Sequence, residues 1–255
     1  MPLELVTLPA LSDNYTYLLH DSASGATACI DVPEAKPILD ALSQRGWTLT
    51  DIWLTHHHHD HIGGVEDLLK VFDAKVTGAS ADRHRLPPLN HEVGDGDRFE
   101  FGGEVIDVLD VSGHTVGHLA FVAPDSGYAF TADSLMALGC GRLFEGTAAQ
   151  MWESLQKLAA LDPETWICSG HEYTQANARF AITIDPDNAD LKARIDRIDL
   201  CREGNEPTVP SKLSEEAATN PFLRAADPAI QAHLDMIGAQ PVDVFAEIRS
   251  RKDRF

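Results

Sequence analysis

Seven consecutive residues constrain this chain more than any other feature. Residues 55–61 read Thr-His-His-His-His-Asp-His, directly after an apolar strand pattern and directly before Ile-Gly-Gly. His56 and His58 are two positions apart, so on extended backbone both side chains point to the same side. Asp60 and His61 follow where the pattern turns helical. Imidazole and carboxylate groups ligate zinc, iron and manganese, so the run predicts one pair of ligands for each of two metal ions.

Three further polar residues follow other predicted strands. His114, Asp133 and His171 each come at the downstream end of an apolar run, next to a glycine or another small residue. Strand ends are where rigid scaffolds deliver functional side chains. Taken alone, each of the two histidines could be an ordinary surface residue, and Asp133 could be the N-cap of a helix. Their coincidence with the first run favours a shared metal site over a solvated polar loop.

Charge and composition exclude several classes of function. The chain has 255 residues, with 20 Lys and Arg against 40 Asp and Glu, for a net charge of −20. Nucleic acid and anionic membranes would repel such a chain. No apolar run reaches the roughly 18 residues of a membrane helix, and the N-terminal sequence lacks the basic start of a secretory signal. The four cysteines are scattered without a C-x-x-C pair, which indicates free thiols and a reducing, cytoplasmic setting.

The periodicity predicts a mixed α/β part followed by an all-helical part. Glycine pairs and turn residues predict hairpins around residues 102–103 and 124–127. Strands are predicted at 3–7, 15–20, 27–32, 49–55, 99–101, 104–111, 119–123, 128–132 and 165–169. Helices are predicted at 33–46, 65–72, 151–161, 175–184, 189–201, 229–237 and 242–249. After about residue 172 the strand signals vanish.

The motif T-H-x-H-x-D-H resembles the signature of the metallo-β-lactamase superfamily, whose fold is an αββα sandwich with a metal site at one edge. Segments 139–147, 169–174, 219–224 and 249–253 resemble those of glyoxalase II, the hydroxyacylglutathione hydrolases. The likeness covers nearly the whole chain. It implies a metal-binding catalytic domain over residues 1–172 and a helical, glutathione-binding domain over residues 173–255.

The resemblance also implies a dinuclear site, with two divalent ions per chain. Zinc is the expected metal, and iron and manganese are the alternatives. The first ion would be held by His56, His58 and His114, and the second by Asp60, His61 and His171. Asp133 would bridge the two ions, and Asp60 and Asp133 would be the catalytic carboxylates. The remaining histidines and Glu172 would be supporting or ordinary residues: His57, His59, His118, His20, His84, His91 and His233.

The implied reaction is hydrolysis of S-D-lactoylglutathione, and of other S-2-hydroxyacylglutathiones, to D-lactate and glutathione by a hydroxide between the two ions. This is the second step of methylglyoxal detoxification. The chain has no Gly-x-Ser-x-Gly elbow, so an acyl-serine route has no support.

An anionic glutathione thioester needs a local cationic patch on an acidic protein. Residues 249–255 hold four of the twenty basic residues; the alternative is a solvated helix end, which cations also suit. The resemblance favours binding and implies these contacts: Arg142, Leu143, Phe144, His171, Tyr173, Arg249 and Lys252. The family usually has Lys at position 142 and Tyr at position 144. Without the hydroxyl, Phe144 cannot donate a hydrogen bond, which weakens binding by about 0.5–1.5 kcal/mol.

Other metal proteins fit the sequence less well. A β-lactamase would be exported and would lack the basic tail. A nuclease would need a basic surface to bind nucleic acid, which a net charge of −20 argues against. A flavodiiron protein usually has Glu at position 58, and a persulfide dioxygenase leaves positions 60 and 171 without metal. A non-catalytic, metal-stabilised binding protein would need a closed coordination shell. We therefore expect an enzyme that acts as a monomer on a small thioester, with no nucleic-acid or membrane partner.

Overall fold

The computed structural model describes residues 3–255, which form two compact units. The first unit comprises the described residues through Asp110 together with Gly117–Thr131. The second unit comprises Val111–Val116 and Ala132–Phe255. No helix among residues 3–255 combines the length and the apolar character needed to cross a bilayer.

The first unit begins with a six-stranded sheet whose strands lie in chain order. The pairs among the first three strands are antiparallel, and the remaining pairs are parallel. The strands are β1 (Glu4–Ala10), β2 (Asn14–His20), β3 (Thr27–Ile30), β4 (Asp51–Trp53), β5 (Lys75–Ala79) and β6 (His91–Val93). Its helices are α1 (Ala35–Arg45), α2 (His59–Ile62) and α3 (Val65–Leu69).

Four antiparallel strands of a second sheet complete the first unit. They are β7 (Arg98–Phe101), β8 (Glu104–Asp110), β9 (Leu119–Ala123) and β10 (Tyr128–Ala132). The predicted hairpin between β7 and β8 is confirmed. Gly102 and Gly103 both have positive φ angles, 58° and 78°, which glycine adopts at the least steric cost.

Trp53 joins the two sheets of the first unit. Its side chain is fully buried, and four rings surround it at centroid distances of 5.2–6.3 Å: Phe99, Phe101, Phe121 and Phe130. Aromatic pairs contribute about 0.5–1.5 kcal/mol each beyond the area they bury. The sheets therefore pack face to face around a tryptophan that lies two residues before the histidine-rich run.

The second unit is mainly helical. Its helices are α4 (Ala148–Ala159), α5 (Thr174–Ile184), α6 (Ala189–Glu203), α7 (Leu213–Thr219), α8 (Pro228–His233) and α9 (Pro241–Arg254). Its short strands are β11 (Leu135–Met136), β12 (Gly139–Cys140), β13 (Trp166–Ser169) and β14 (Ser211–Lys212). Apolar residues of α5 and α6 pack with Leu138 in one buried cluster.

A buried carboxylate ties α7 to the segment between β11 and β12. Glu216 is fully buried and accepts hydrogen bonds from Arg194, from the Leu138 backbone N–H at 2.9 Å and from Ser211 Oγ at 2.6 Å. Asn220 donates to the carbonyl oxygens of Met136 and Gly139, at 3.1 and 3.0 Å. The segment at 219–224 that carries the family likeness therefore fixes a loop of the second unit.

Several sequence predictions were wrong in detail. Strands β5 and β6 and helix α7 were not predicted, and β14 contradicts the loss of strand signals after residue 172. Two-residue β14 exists through its antiparallel pairing with β13, a long-range contact that local periodicity does not report. The helix predicted to end at residue 72 already ends at Leu69.

Candidate metal centre

The histidine-rich run of the first unit folds as its spacing predicts. His58 has extended backbone, with ψ at 141°, and α2 begins at the next residue. The ring of His56 lies 4.7 Å from that of His58 and 4.2 Å from that of His61, centroid to centroid. His56 and His61 are buried, and His58 and Asp60 are half-buried. The first unit therefore gathers three imidazoles and one carboxylate along a single turn of chain.

Asp31, which was not among the predicted site residues, holds this turn in place. Its Oδ2 accepts hydrogen bonds from His61 Nδ1 at 2.7 Å and from Thr55 Oγ1 at 2.8 Å, and its Oδ1 accepts from the Thr55 N–H at 2.8 Å. Because a carboxylate only accepts, the proton of His61 lies on Nδ1 and the lone pair on Nε2. Asp31 has a φ of 57°, a strained conformation of the kind found at functional sites.

Asn14 is a second residue that the sequence did not reveal. Its amide donates to the backbone carbonyl of Asp60 at 3.0 Å and to Oδ2 of the same residue at 3.1 Å. Both contacts orient one carboxylate. Asparagine at the start of a strand has no motif around it, so no local signal could have identified it.

Two further histidines support the run without belonging to the predicted ligands. His57 donates to the buried Asp82 at 2.9 Å. His118 is buried and its ring stacks on that of His56, with centroids 4.5 Å apart and planes 16° from parallel. These contacts fit the supporting roles expected from the sequence.

The second unit brings its three predicted ligands together around one oxygen atom. Asp133 Oδ2 lies 3.4 Å from His114 Nε2 and 3.3 Å from His171 Nε2, and all three side chains are buried. Asp133 precedes a strand, β11, so the alternative of a helix N-cap does not hold. One carboxylate oxygen shared by two imidazoles is the arrangement expected of a bridging ligand.

The hydrogen bonding of this trio fits a bound cation. His114 Nδ1 is 2.8 Å from the carbonyl oxygen of Arg142, and a carbonyl can only accept, so the proton lies on Nδ1. The Nε2 lone pair of a neutral His114 then faces an anionic oxygen of Asp133. Two acceptors at this distance repel each other unless a proton or a metal ion lies between them. The donor set of nitrogen and carboxylate oxygen suits zinc, iron or manganese.

A glycine permits the close packing around the second-unit ligands. A Cβ atom at Gly141 would lie 2.0 Å from the carbonyl oxygen of Asp133 and 2.9 Å from His114 Nδ1. No side chain fits there without displacing the backbone that carries Asp133 or the ring of His114, the two predicted ligands nearby. The Gly-Cys-Gly sequence at residues 139–141 therefore has a steric cause.

The predicted substrate contacts of the second unit lie near its ligands. The ring of Tyr173 stacks on His171, with centroids 4.6 Å apart and planes 4° from parallel. The ring of Phe144 lies 5.2 Å from that of His114 and is 63% exposed. Arg142 is exposed and Leu143 is half-buried. The two exposed aromatic side chains, Tyr173 and Phe144, thus lie beside two of the predicted ligands.

Comparisons with known proteins agree over the whole length. A sequence model described as the metallo-β-lactamase superfamily matches residues 17–171, and one described as the hydroxyacylglutathione hydrolase C-terminus matches residues 172–255. Proteins named hydroxyacylglutathione hydrolase from Ruegeria pomeroyi and Roseobacter denitrificans are 63% and 62% identical over 255 residues, all of each chain. The chain belongs to the hydroxyacylglutathione hydrolase family. The family expectation from the sequence is therefore confirmed.

Solved structures confirm the metallo-β-lactamase fold of this hydroxyacylglutathione hydrolase. The B3 metallo-β-lactamase BLEG-1 matches with a TM-score of 0.67 and 19% identity, over 86% of this chain and 99% of that one. ETHE1 from Myxococcus xanthus matches with a TM-score of 0.64 and 24% identity, over 99% of this chain and 98% of that one. At such identities the likeness establishes the fold and nothing finer.

The basic C-terminus of this hydroxyacylglutathione hydrolase lies on α9 and is not simply solvated. Arg249 is 4% exposed; it donates to the carbonyl oxygen of Cys140 at 2.9 Å and to Asp253 Oδ1 at 2.9 Å. The alternative of a solvated helix end therefore fails for Arg249. Burial raises the pKa of the Cys140 thiol to about 11, although Arg249 acts in the opposite direction.

Lys252 is the half-buried cation of the same helix. It donates to the carbonyl oxygen of Ala176 at 3.2 Å. Burial, and then the positive charges of Arg249, Arg179 and Arg142, lower the pKa of its ammonium group to about 8. An anionic ligand beside Lys252 would therefore stabilise the charged form of its ammonium group.

Proposed function

We propose that this enzyme hydrolyses S-D-lactoylglutathione and related S-2-hydroxyacylglutathiones to D-lactate and glutathione, the second step of methylglyoxal detoxification. The observation that carries the proposal is the arrangement around Asp133, whose Oδ2 is shared between His114 Nε2 and His171 Nε2. Two imidazole nitrogens directed at one carboxylate oxygen support a metal site at which hydrolysis can occur. The match of residues 172–255 to the family's C-terminal model supports the choice of a glutathione thioester.

Two divalent ions are proposed to be the cofactor, with zinc as the expected metal and iron or manganese as alternatives. Following the family pattern, His56, His58 and His114 hold one ion, and Asp60, His61 and His171 hold the other, with Asp133 serving both. When bound, such a pair of ions polarises a thioester carbonyl and supplies a nucleophile at neutral pH.

The chain's own residues do the remaining work. Asp31 and the Arg142 carbonyl fix the tautomers of His61 and His114, so that each presents a lone pair on Nε2. Asp60, oriented by Asn14, and Asp133 are the catalytic carboxylates. The thiolate of glutathione is a good leaving group, so no strong general acid is needed.

Substrate binding is proposed for the part of the chain after residue 172, together with the loop that carries residues 142–144. Arg142 and Lys252 offer positive charge to the glutathione carboxylates. The walls of the binding site are formed by Leu143, Phe144, His171 and Tyr173. Arg249 already donates to Cys140 and Asp253, so its main contribution is to hold the loop. We propose that residues 1–172 form the metal-binding domain and that residues 173–255 form the substrate-binding domain.

We propose a cytoplasmic monomer. Its cysteines are unpaired, with Cys29, Cys140 and Cys168 buried, and burial raises the pKa of Cys29 to about 12. Protonated, buried thiols suit a reducing compartment.

The test is hydrolysis of lactoylglutathione, with metal analysis of the same sample. A cephalosporin and glutathione persulfide serve as control substrates for the lactamase and dioxygenase alternatives. We expect thioester hydrolysis that a chelator abolishes and divalent metal restores. Turnover of either control substrate without thioester hydrolysis would contradict the proposal.

A further inference from the structure

Lys252 of α9 contacts α5 in the second unit. Lys252 Nζ reaches the carbonyl oxygen of Ala176 on α5 and lies 5.1 Å from the ring centroid of Phe180. Phe255 packs on Phe180 from the end of α9, with ring centroids 5.4 Å apart. Arg179 lies three positions after Ala176, and residues three apart share a side of a helix. Lys252 and Arg179 are therefore neighbours across this contact.

The acidic side chain beside Lys252 and Arg179 pairs with other basic residues. Asp253, next to Lys252 on α9, pairs with Arg249 at 2.9 Å and with Arg142 at 3.9 Å. Within residues 3–255, no carboxylate forms an ion pair with Arg179 or Lys252. In a chain of net charge −20, two neighbouring cations without a carboxylate favour an anionic ligand.

We propose that Arg179 pairs with Lys252 to bind one carboxylate of the glutathionyl group. Arg179 is thereby a specificity-determining residue; its exposed guanidinium offers two parallel N–H donors to a carboxylate, and the Lys252 ammonium adds a third. The lowered pKa of Lys252, to which Arg179 contributes, agrees with two cations in close proximity. This inference rests on the proposed function for the identity of the ligand.

The test measures binding of S-methylglutathione, an unreactive thioether, by calorimetry, and KM and kcat for lactoylglutathione. We expect Arg179→Gln to raise both the dissociation constant and KM by about three- to tenfold, with kcat within about twofold. Arg179→Lys keeps the charge but not the paired donors, so it should restore only part of the affinity. Lys192→Gln removes an equally exposed cation from α6 and is the matched control, for which no change is expected. Because Arg179 is exposed, all three variants should melt within a few degrees of the parent protein.

Esterified ligands identify the carboxylate. The defect of Arg179→Gln should disappear for S-methylglutathione carrying an ester on the glycyl carboxylate, or for the ligand esterified on the γ-glutamyl carboxylate, whichever group Arg179 binds. A double variant with Lys252→Gln should be less impaired than the product of the two single effects.

Three results would overturn the inference: parent-like binding by Arg179→Gln, a defect that survives both esterifications, or no binding of S-methylglutathione by the parent protein. A different set of results is expected if the proposed function is wrong and the inference about Arg179 is right. In that case the parent protein binds S-methylglutathione, the Arg179 variants still differ in affinity, and no thioester is hydrolysed.

Discussion

Replacing Asp31 by asparagine separates the charge of a buried carboxylate from its shape. Asp31 accepts three hydrogen bonds, two from Thr55 and one from His61. Asparagine tolerates the left-handed φ of this position, and its amide oxygen can still accept from the Thr55 N–H. Its NH₂ group then faces His61 Nδ1, which must give up its proton and accept. The proton of His61 moves to Nε2, the atom proposed to bind metal.

The magnitude follows from the bond that is lost. A hydrogen bond to a charged group contributes about 1.5–3 kcal/mol, and about 1.4 kcal/mol corresponds to a tenfold change in affinity. Asp31→Asn should therefore weaken metal binding at the His61 site by about 10- to 100-fold, as substitutions behind metal-ligating histidines do.

Competition with a chromophoric chelator measures this affinity, and thermal unfolding of the metal-free protein checks the fold. Asp40→Asn is the matched control, because Asp40 forms an exposed ion pair with Lys36, and such pairs contribute little. Metal affinity within twofold of the parent protein, in a folded Asp31→Asn variant, would refute the argument that Asp31 sets the tautomer.

Further outcomes are expected at other positions. Elemental analysis should find close to two metal ions per chain, and Asp133→Ala should lower the occupancy of both sites; a fully active protein with one ion would contradict this. Because the pKa of Lys252 is about 8, the ammonium is charged below pH 8, so the dissociation constant of S-methylglutathione should rise as pH increases through that value, and Lys252→Arg should remove the rise. Gly141→Ala should lower the melting temperature and the metal content together, since its Cβ would lie 2.0 Å from a carbonyl oxygen; an unchanged melting temperature would show that the loop relaxes freely. Phe144→Tyr should lower KM for lactoylglutathione severalfold at most by adding a hydroxyl donor, and an unchanged KM would place position 144 outside the binding site.

The sequence predicted that the histidine-rich run of the first unit brings its side chains together, because the geometry of the run is local. His56, His58, Asp60 and His61 lie within six residues, where strand and helix periodicities decide which way side chains point. Asp31 and Asn14 were missed because they reach the run from 24 to 46 positions away. Only the tertiary fold brings such partners together.

The same distinction explains the outcome for the fold. The glycine pair at residues 102–103 reports its hairpin directly, whereas β14 depends on pairing with β13 across more than forty residues. The sequence shows that the C-terminal segment is basic, but it does not show that Arg249 is buried. That Arg249 lies inside the protein follows from its contact with Cys140, 109 positions earlier.

That contact has a consequence for how the protein is made. Arg249 binds the Cys140 carbonyl, two residues before the Arg142 carbonyl that sets the tautomer of His114. Arg249 must therefore be synthesised, 109 residues after Cys140, before this loop can form that contact. A chain that stops before Arg249 would carry every proposed ligand and still lack this contact behind His114. The loop that carries the Arg142 carbonyl can thus reach its final contacts only after α9 has been made, although every proposed ligand is made before α9.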